Sequence, residues 1–202
     1  MDAQKLQLKI FALPETAERV ALDVFIPVFH RWIKERVLPE LVIDVANYAH
    51  VPEGPGVVLI GHASDYFMDL GDGRMGLLHN RKRCAAPSGD RLDDLARRAL
   101  YAAVLLEKET MLAGKVRFAS NEFLFRINDR LAAPNNDATF ARVKPELEVL
   151  GRALFAHPFE LTRIGGPKEL FSVRLTSPAG APLTALLERA GGPPGPDQSL
   201  VT

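Results

Sequence analysis

Three of the five histidines, four aspartates and a basic cluster fall within one stretch, Leu41 to Arg83. Histidine and carboxylate side chains ligate metals, move protons and activate nucleophiles, so their spacing decides which chemistry is open. Asp72-Gly73 carries a two-residue hairpin signal, because a type I′ turn needs positive φ at both central positions. With that turn, Tyr66 opposes His79, Ser64 opposes Arg81 and His62 opposes Arg83. Alternate residues of a strand share a side, so His62, Ser64, Tyr66, His79, Arg81 and Arg83 are expected on one face. Phe67, Leu78, Leu59 and Ala63 take the other face, with Asp65, Asn80 and Lys82 toward the open end.

Geometry tests each chemistry. On a strand rising roughly 3.3 Å per residue, His62 and His79 start about 13 Å apart and share no ion. His50 approaches His62 across the Pro/Gly turn, with Asp44 or Tyr48 beside it, but no third ligand is fixed and no HExxH or paired CxxC occurs. No metal and no cofactor are expected. Gly61-His-Ala-Ser-Asp65 lacks the second glycine of GxSxG, and Ser64 lies inside a strand about 6.6 Å from His62 along the chain. Asp65 and Asp69 are about 13 Å apart, beyond the roughly 5–9.5 Å of glycosidase pairs. Cys84 follows basic residues but has no base partner. The glycines at 54, 56, 71, 73, 165 and 166 sit in turns, and no GxGxxG or Walker loop is present.

Recognition survives better than bond chemistry. Arg81 and Arg83, beside His62, Ser64 and Tyr66, could hold a carboxylate or phosphate through charge-assisted bonds. An ordinary solvated sheet face competes and is the more economical reading, since charges at the end of an exposed strand discourage edge-to-edge aggregation. The leading expectation is a soluble, non-catalytic α+β binding or interaction protein that recognises a small anionic ligand or a protein partner. A hydrolase-type enzyme using His62, Asp65, Tyr66 and His79 is the alternative. A weak nucleic-acid binder is third, resting on the Asn80-Arg-Lys-Arg83 patch and on Phe123, Phe125 and Arg126, although the two phenylalanines share a strand face with Ile127 and read better as core. An exposed hairpin also allows homodimerisation by edge pairing or face packing.

The positioning elements follow from periodicity. Residues 5–12 alternate as a strand, and the Phe25, Phe29, Ile33 and Val28, Trp32 spacings give a helix from near Ile26 to before Pro39. Strands are expected over 41–48, over Val57–Leu70 and over Met75–Arg83, with turns at 51–56 and 72–73. A helix capped by Asp90 buries Leu92, Leu95, Ala96, Ala99, Ala103 and Leu106, and ends by Gly114. Residues 115–129 read as a strand pair turning near Ser120-Asn121. A second helix has Pro145 in its first turn. Strands over 159–164 and 170–176 close a hairpin, and a short helix covers 183–189. The fold class is therefore α+β: antiparallel, hairpin-rich sheet packed by two to three helices. The order helix, strand, turn, strand at 27–62 recurs at 145–176, a weak hint of internal duplication.

Global bounds agree. A chain of 202 residues with 47% apolar content can bury a core unaided, and 25 basic against 25 acidic side chains give no field that favours nucleic acid or an anionic membrane. The single cysteine excludes an internal disulfide. No long apolar segment is present, so a cytoplasmic location is expected. The domain expectation is one unit over 1–189, with sub-lobes 1–84 and 90–189 and a disordered tail over 190–202.

Overall fold

A computed structural model describes residues 3, 5–82 and 91–196. In chain order the elements are β1 (Leu6–Ala12), α1 (Pro14–Arg19), α2 (Phe25–Glu35), β2 (Val42–Tyr48), β3 (Gly56–Gly61), β4 (Ser64–Asp69), β5 (Gly76–Arg81), α3 (Arg91–Lys108), β6 (Phe118–Ile127), α4 (Asp137–Leu154), β7 (Glu160–Ile164), β8 (Phe171–Thr176) and α5 (Leu183–Arg189). The eight strands form one antiparallel sheet in the order β2-β3-β4-β5-β1-β6-β8-β7. Leu6, Leu8 and Ile10 of β1 join the buried residues of α2, α3, α4 and α5 in one core cluster, which defines the inner face. This is the α+β, hairpin-rich class expected from the pattern. No helix among the described residues is long and apolar enough to cross a membrane.

Setting aside the short α1, both parts of the chain run strand, helix, meander, helix. The last meander strand returns to the first strand in each, β5 to β1 and β8 to β6. The two first strands pair with each other at the centre of the sheet. The helix-hairpin units suspected in sequence, α2-β2-β3 and α4-β7-β8, lie toward its two opposite ends.

The expected register between residues 64 and 81 is present: Tyr66 pairs with His79, Ser64 with Arg81 and Phe67 with Leu78. Asp72 and Gly73 both have positive φ, 65° and 66°, as the Asp-Gly signal requires. The single strand expected over Val57–Leu70 is instead two strands folded back on each other, with Leu59 opposite Tyr66 and Ile60 opposite Asp65. His62-Ala63 is the turn. It contains no turn-forming residue, and tertiary bonds hold it: His62 N–H donates to the Leu41 carbonyl at 2.8 Å, Lys82 N–H to that of Ala63 at 2.9 Å. The Asp65 carboxylate accepts from Gly61 N–H at 3.3 Å and from Lys82 Nζ at 2.7 Å. Leu59 consequently lies on the inner face with Tyr66, not on the opposite one.

Three further elements differ from expectation. Residues 118–127 form one strand, pairing β1 on one side and β8 on the other, and not a hairpin. Helix α4 begins eight residues before Pro145, because Asn136 Oδ1 accepts from Thr139 N–H at 2.9 Å and caps it. Pro145 thus lies mid-helix. In β2 the register shifts between Val42 and Asp44, a bulge that breaks the simple alternation read for 41–48.

The outer face is also largely buried at its centre. Lys9 is fully buried, with Nζ 2.5 Å from both Asp69 Oδ2 and the Gly71 carbonyl and 3.5 Å from Asp72 Oδ2. Arg126 donates to Asp72, whose carboxyl is held low because Arg126 and Lys9 outweigh the opposing effect of burial. These ion pairs tie the 71–73 turn to β1 and β6.

The two turns differ in tolerance. A Cβ at Gly61 would run into the Ser64 and Leu41 carbonyl oxygens, whereas at Gly73 nothing lies within 4 Å. Gly61→Ala is expected to lower unfolding free energy by about 2–3 kcal/mol, since backbone must move. Gly73→Ala should cost only about 1 kcal/mol for its left-handed φ. Urea denaturation of both variants measures the difference, and equal losses would remove the role given to Gly61.

Candidate functional site

The inner face of β4 and β5 carries Ser64, Tyr66, His79 and Arg81, all four at 2% exposure or less. Three residues from other elements complete the group. Glu40 arrives from the loop between α2 and β2, and Asp94 and Arg98 from the first two turns of α3. Ser64 Oγ and Tyr66 Oη donate to the two oxygens of the Glu40 carboxylate. Arg98 Nη1 lies 3.5 Å and Arg81 Nη1 3.9 Å from the same carboxylate. Arg98 Nε reaches Asp94 at 2.9 Å, and Arg81 Nη2 stands 3.7 Å from Asp94. Two guanidiniums thus face two carboxylates, the balance that makes burial of four charges tolerable.

Tyr66 and His79 stack, ring centroids 4.7 Å apart at 23°. Burial, then the charges of Arg81 and Arg98, push the His79 pKa down to about 3, against a weaker upward pull from Asp94 and the Leu95 backbone. His79 is therefore neutral near pH 7. The Leu95 backbone lies close enough to pull on the imidazole, but neither ring nitrogen makes a hydrogen bond of ordinary length and angle among the described residues. Burial raises the Tyr66 phenol well above its ordinary range, and the adjacent Glu40 charge adds to this. The Arg98 guanidinium is held above its usual value because Asp94 and Glu40 outweigh the effect of burial. None of these shifts favours proton transfer near neutrality: the imidazole sits too low and the phenol too high.

Of the six residues expected on one face, the fold brings together Ser64, Tyr66, His79 and Arg81. His62 sits exposed at the β3–β4 turn. Arg83 lies outside the described residues, as do Cys84 and the 85–89 linker. The solvated-face reading is corrected: this is the covered face of the sheet, because β5 lies between β4 and β1 and packs against α3. The edge-protection argument fails for the same reason, since β5 is not an edge. Phe123, Phe125 and Ile127 are core, as expected. Residues 190–196 include a buried Pro194, and the Gly195 carbonyl accepts from Arg98 at 3.5 Å. Residues 197–202 lie outside the described set. Among the described residues, no three His, Cys, Asp or Glu side chains could hold a metal ion together.

Glu40, Asp94 and Arg98 were not anticipated. The Asp94–Arg98 spacing of four beside an Ala/Leu stripe was a legible signal for an i,i+4 pair at the rim of the buried face. Glu40, in a loop after Pro39, gave none.

Beside Glu40 a cleft of about 560 Å³ opens between the end of α2 and the start of β2. Its walls are Ile33, Leu38, Pro39, Leu41, Val42 and Pro196, with Arg36 and Glu40 the charged residues that line it. The Glu40 side chain is 1% exposed and points into the polar cluster, so its main chain is what the cleft meets. Compared with known proteins, the chain matches no family model, no curated protein and no solved structure.

Two measurements test the cluster. Glu40→Gln removes one of two anions facing Arg81 and Arg98, and should lower stability by about 3–5 kcal/mol in urea denaturation. A loss below about 1 kcal/mol would show that the guanidiniums do not depend on it. His79→Phe keeps an aromatic ring against Tyr66 and removes two nitrogens that make no ordinary hydrogen bond, so at pH 7 it should change stability by less than about 1 kcal/mol. The unfolded histidine takes up its proton near pH 6.5 and the folded one only near 3, so native stability falls as pH drops through that window. Between pH 6.5 and 5, where few carboxylates protonate, the wild type should lose roughly 1.6 kcal/mol in all from this group. The variant should lack that slope, and an unchanged slope would refute the assignment.

Proposed function

We propose that the protein is a non-catalytic binding protein whose site is the corner where the end of α2, the 36–41 loop and β2 meet. One observation carries the reading. Ser64, Tyr66, His79 and Arg81 are dry and face Glu40, Asp94 and Arg98, whereas Leu41 stands exposed at the cleft and further exposed apolar side chains follow along β2. Among the described residues, four of the seven exposed large hydrophobics are Leu41, Ile43, Tyr48 and Val51, on β2 and its flanks. Apolar surface left in water at one place marks interaction sites more often than chance exposure does. A volume near 560 Å³ falls within the roughly 300–1,000 Å³ of small-ligand sites.

The backbone of β2 supports docking through side chains over strand addition. Val45 N–H is taken by Asp44 Oδ1 at 2.8 Å and Ala49 N–H by Asn47 Oδ1 at 2.9 Å. With the bulge at Ile43, these side-chain bonds blunt an edge that would otherwise pair with a second strand.

The amphipathic probe 1-anilinonaphthalene-8-sulfonate, an apolar body with an anionic group, tests the site. Its fluorescence should rise on titration with one-to-one saturation. Leu41→Asp, at a position already 46% exposed, should weaken binding at least tenfold without changing the near-ultraviolet circular dichroism. Saturable binding that is indifferent to Leu41→Asp would place the site elsewhere, and no saturable binding would end the reading.

A further inference from the structure

We infer that the cleft takes an apolar carboxylate, an acyl chain with an anionic head, and that Arg36 holds the head; this rests on the binding reading above. The walls are hydrocarbon, which selects an apolar body and discriminates little between bodies of similar size. Charge supplies the discrimination. The Glu40 carboxylate is turned inward and engaged by Ser64, Tyr66 and Arg98. Glu35, at the end of α2, is engaged by Arg31 at 3.2 Å. Arg36 is therefore the charge presented to the cleft, and no hydrogen bond or ion pair engages its side chain among the described residues.

The chain also presents Arg36 in an unusual way. It ends α2 at φ 50° and ψ 50°, in the left-handed region where glycine is the common choice. Its own N–H returns to the Ile33 carbonyl at 3.3 Å, and Val37 N–H to that of Trp32 at 3.1 Å. Those bonds occupy two carbonyls of the last helical turn and lessen the negative end of the helix beside the cleft. A planar guanidinium at a partly apolar mouth matches a carboxylate through two parallel N–H donors. A cationic amphiphile would face the like charge of Arg36, and a neutral alcohol would leave it unused.

Calorimetric titration of the full chain with octanoate, octanol and octyltrimethylammonium, which share one tail and differ in head, tests this. Octanoate should bind at least tenfold more tightly than either of the others. Arg36→Gln should remove that preference while leaving octanol affinity unchanged, and Arg36→Lys should restore part of it. Equal binding of all three, or indifference to Arg36→Gln, overturns the head-group assignment and leaves the binding site standing. Failure of every tail, together with a sulfonate probe indifferent to Leu41→Asp, overturns the site itself. Octanoate binding that appears only when the chain is ended after Pro196 would make residues 197–202 the occupant and would also overturn the inference.

Discussion

A carboxylate removed from water must be answered by charge and hydrogen bonds, and the burial of Glu40 imposes that constraint on everything around it. Its two oxygens accept from hydroxyls two positions apart on β4, while Arg98 approaches from α3. Those bonds fix three things at once: the path of the loop after α2, the face that β4 turns inward, and the rotation of α3 above the sheet. An apolar set of the same shape could match this stability, since desolvating four charges consumes most of what their attraction returns. Apolar contacts would not specify the arrangement so narrowly. A carboxylate accepts only along defined directions, so a helix rotated by one residue would leave ions buried and unpaired.

The same residue shapes the surface. Because Glu40 points inward and Leu38 is buried, the chain between them turns its apolar neighbours Pro39 and Leu41 outward, where they face Ile33 across a gap. The main chain of Glu40 meets the cleft and its side chain anchors the loop, so the rim of the candidate site is fixed by bonds formed several ångströms deeper. A ligand that fills the cleft and binds only the folded state would stabilise the polar cluster by mass action without touching it. Packing alone would make a softer rim, free to close over an empty gap.

What could be read from the residues was local. Asp72-Gly73 fixed a register that holds from Ser64–Arg81 to Asp69–Gly76, because a two-residue turn leaves no freedom in how the flanking strands align. Reading failed where long-range bonds overrode local preference. Nothing in His62-Ala63 breaks a strand; the turn exists because Asp65, Lys82 and Leu41 hold it. Missing that turn put His62 on a strand face with Ser64 and Tyr66 and set Leu59 on the wrong face. The depth of the polar face was hidden for a related reason. Ser, Tyr, His and Arg alternating on a strand resemble a wet surface until their charged partners are found, and those lie 24 to 41 positions earlier on Glu40 and 13 to 34 positions later on Asp94 and Arg98. Pro145 misled in the opposite way: a cap at Asn136 and an apolar stripe carried α4 through a residue that usually marks a helix start.

The densest collection of reactive residue types is therefore the least available to a substrate. Catalysis needs groups poised between protonation states and reachable by the reacting atom. Here burial drives the imidazole and the phenol away from neutrality in opposite directions, and the hydroxyls that could attack are committed to Glu40. A surface site has the reverse requirements, namely apolar area left in water and a charge left without a partner. Both meet where α2 ends, at Leu41 and Arg36. The fold thus separates the two kinds of residue by depth: polar groups that specify its arrangement lie beneath, and the groups free to engage another molecule lie at the rim that this arrangement holds open.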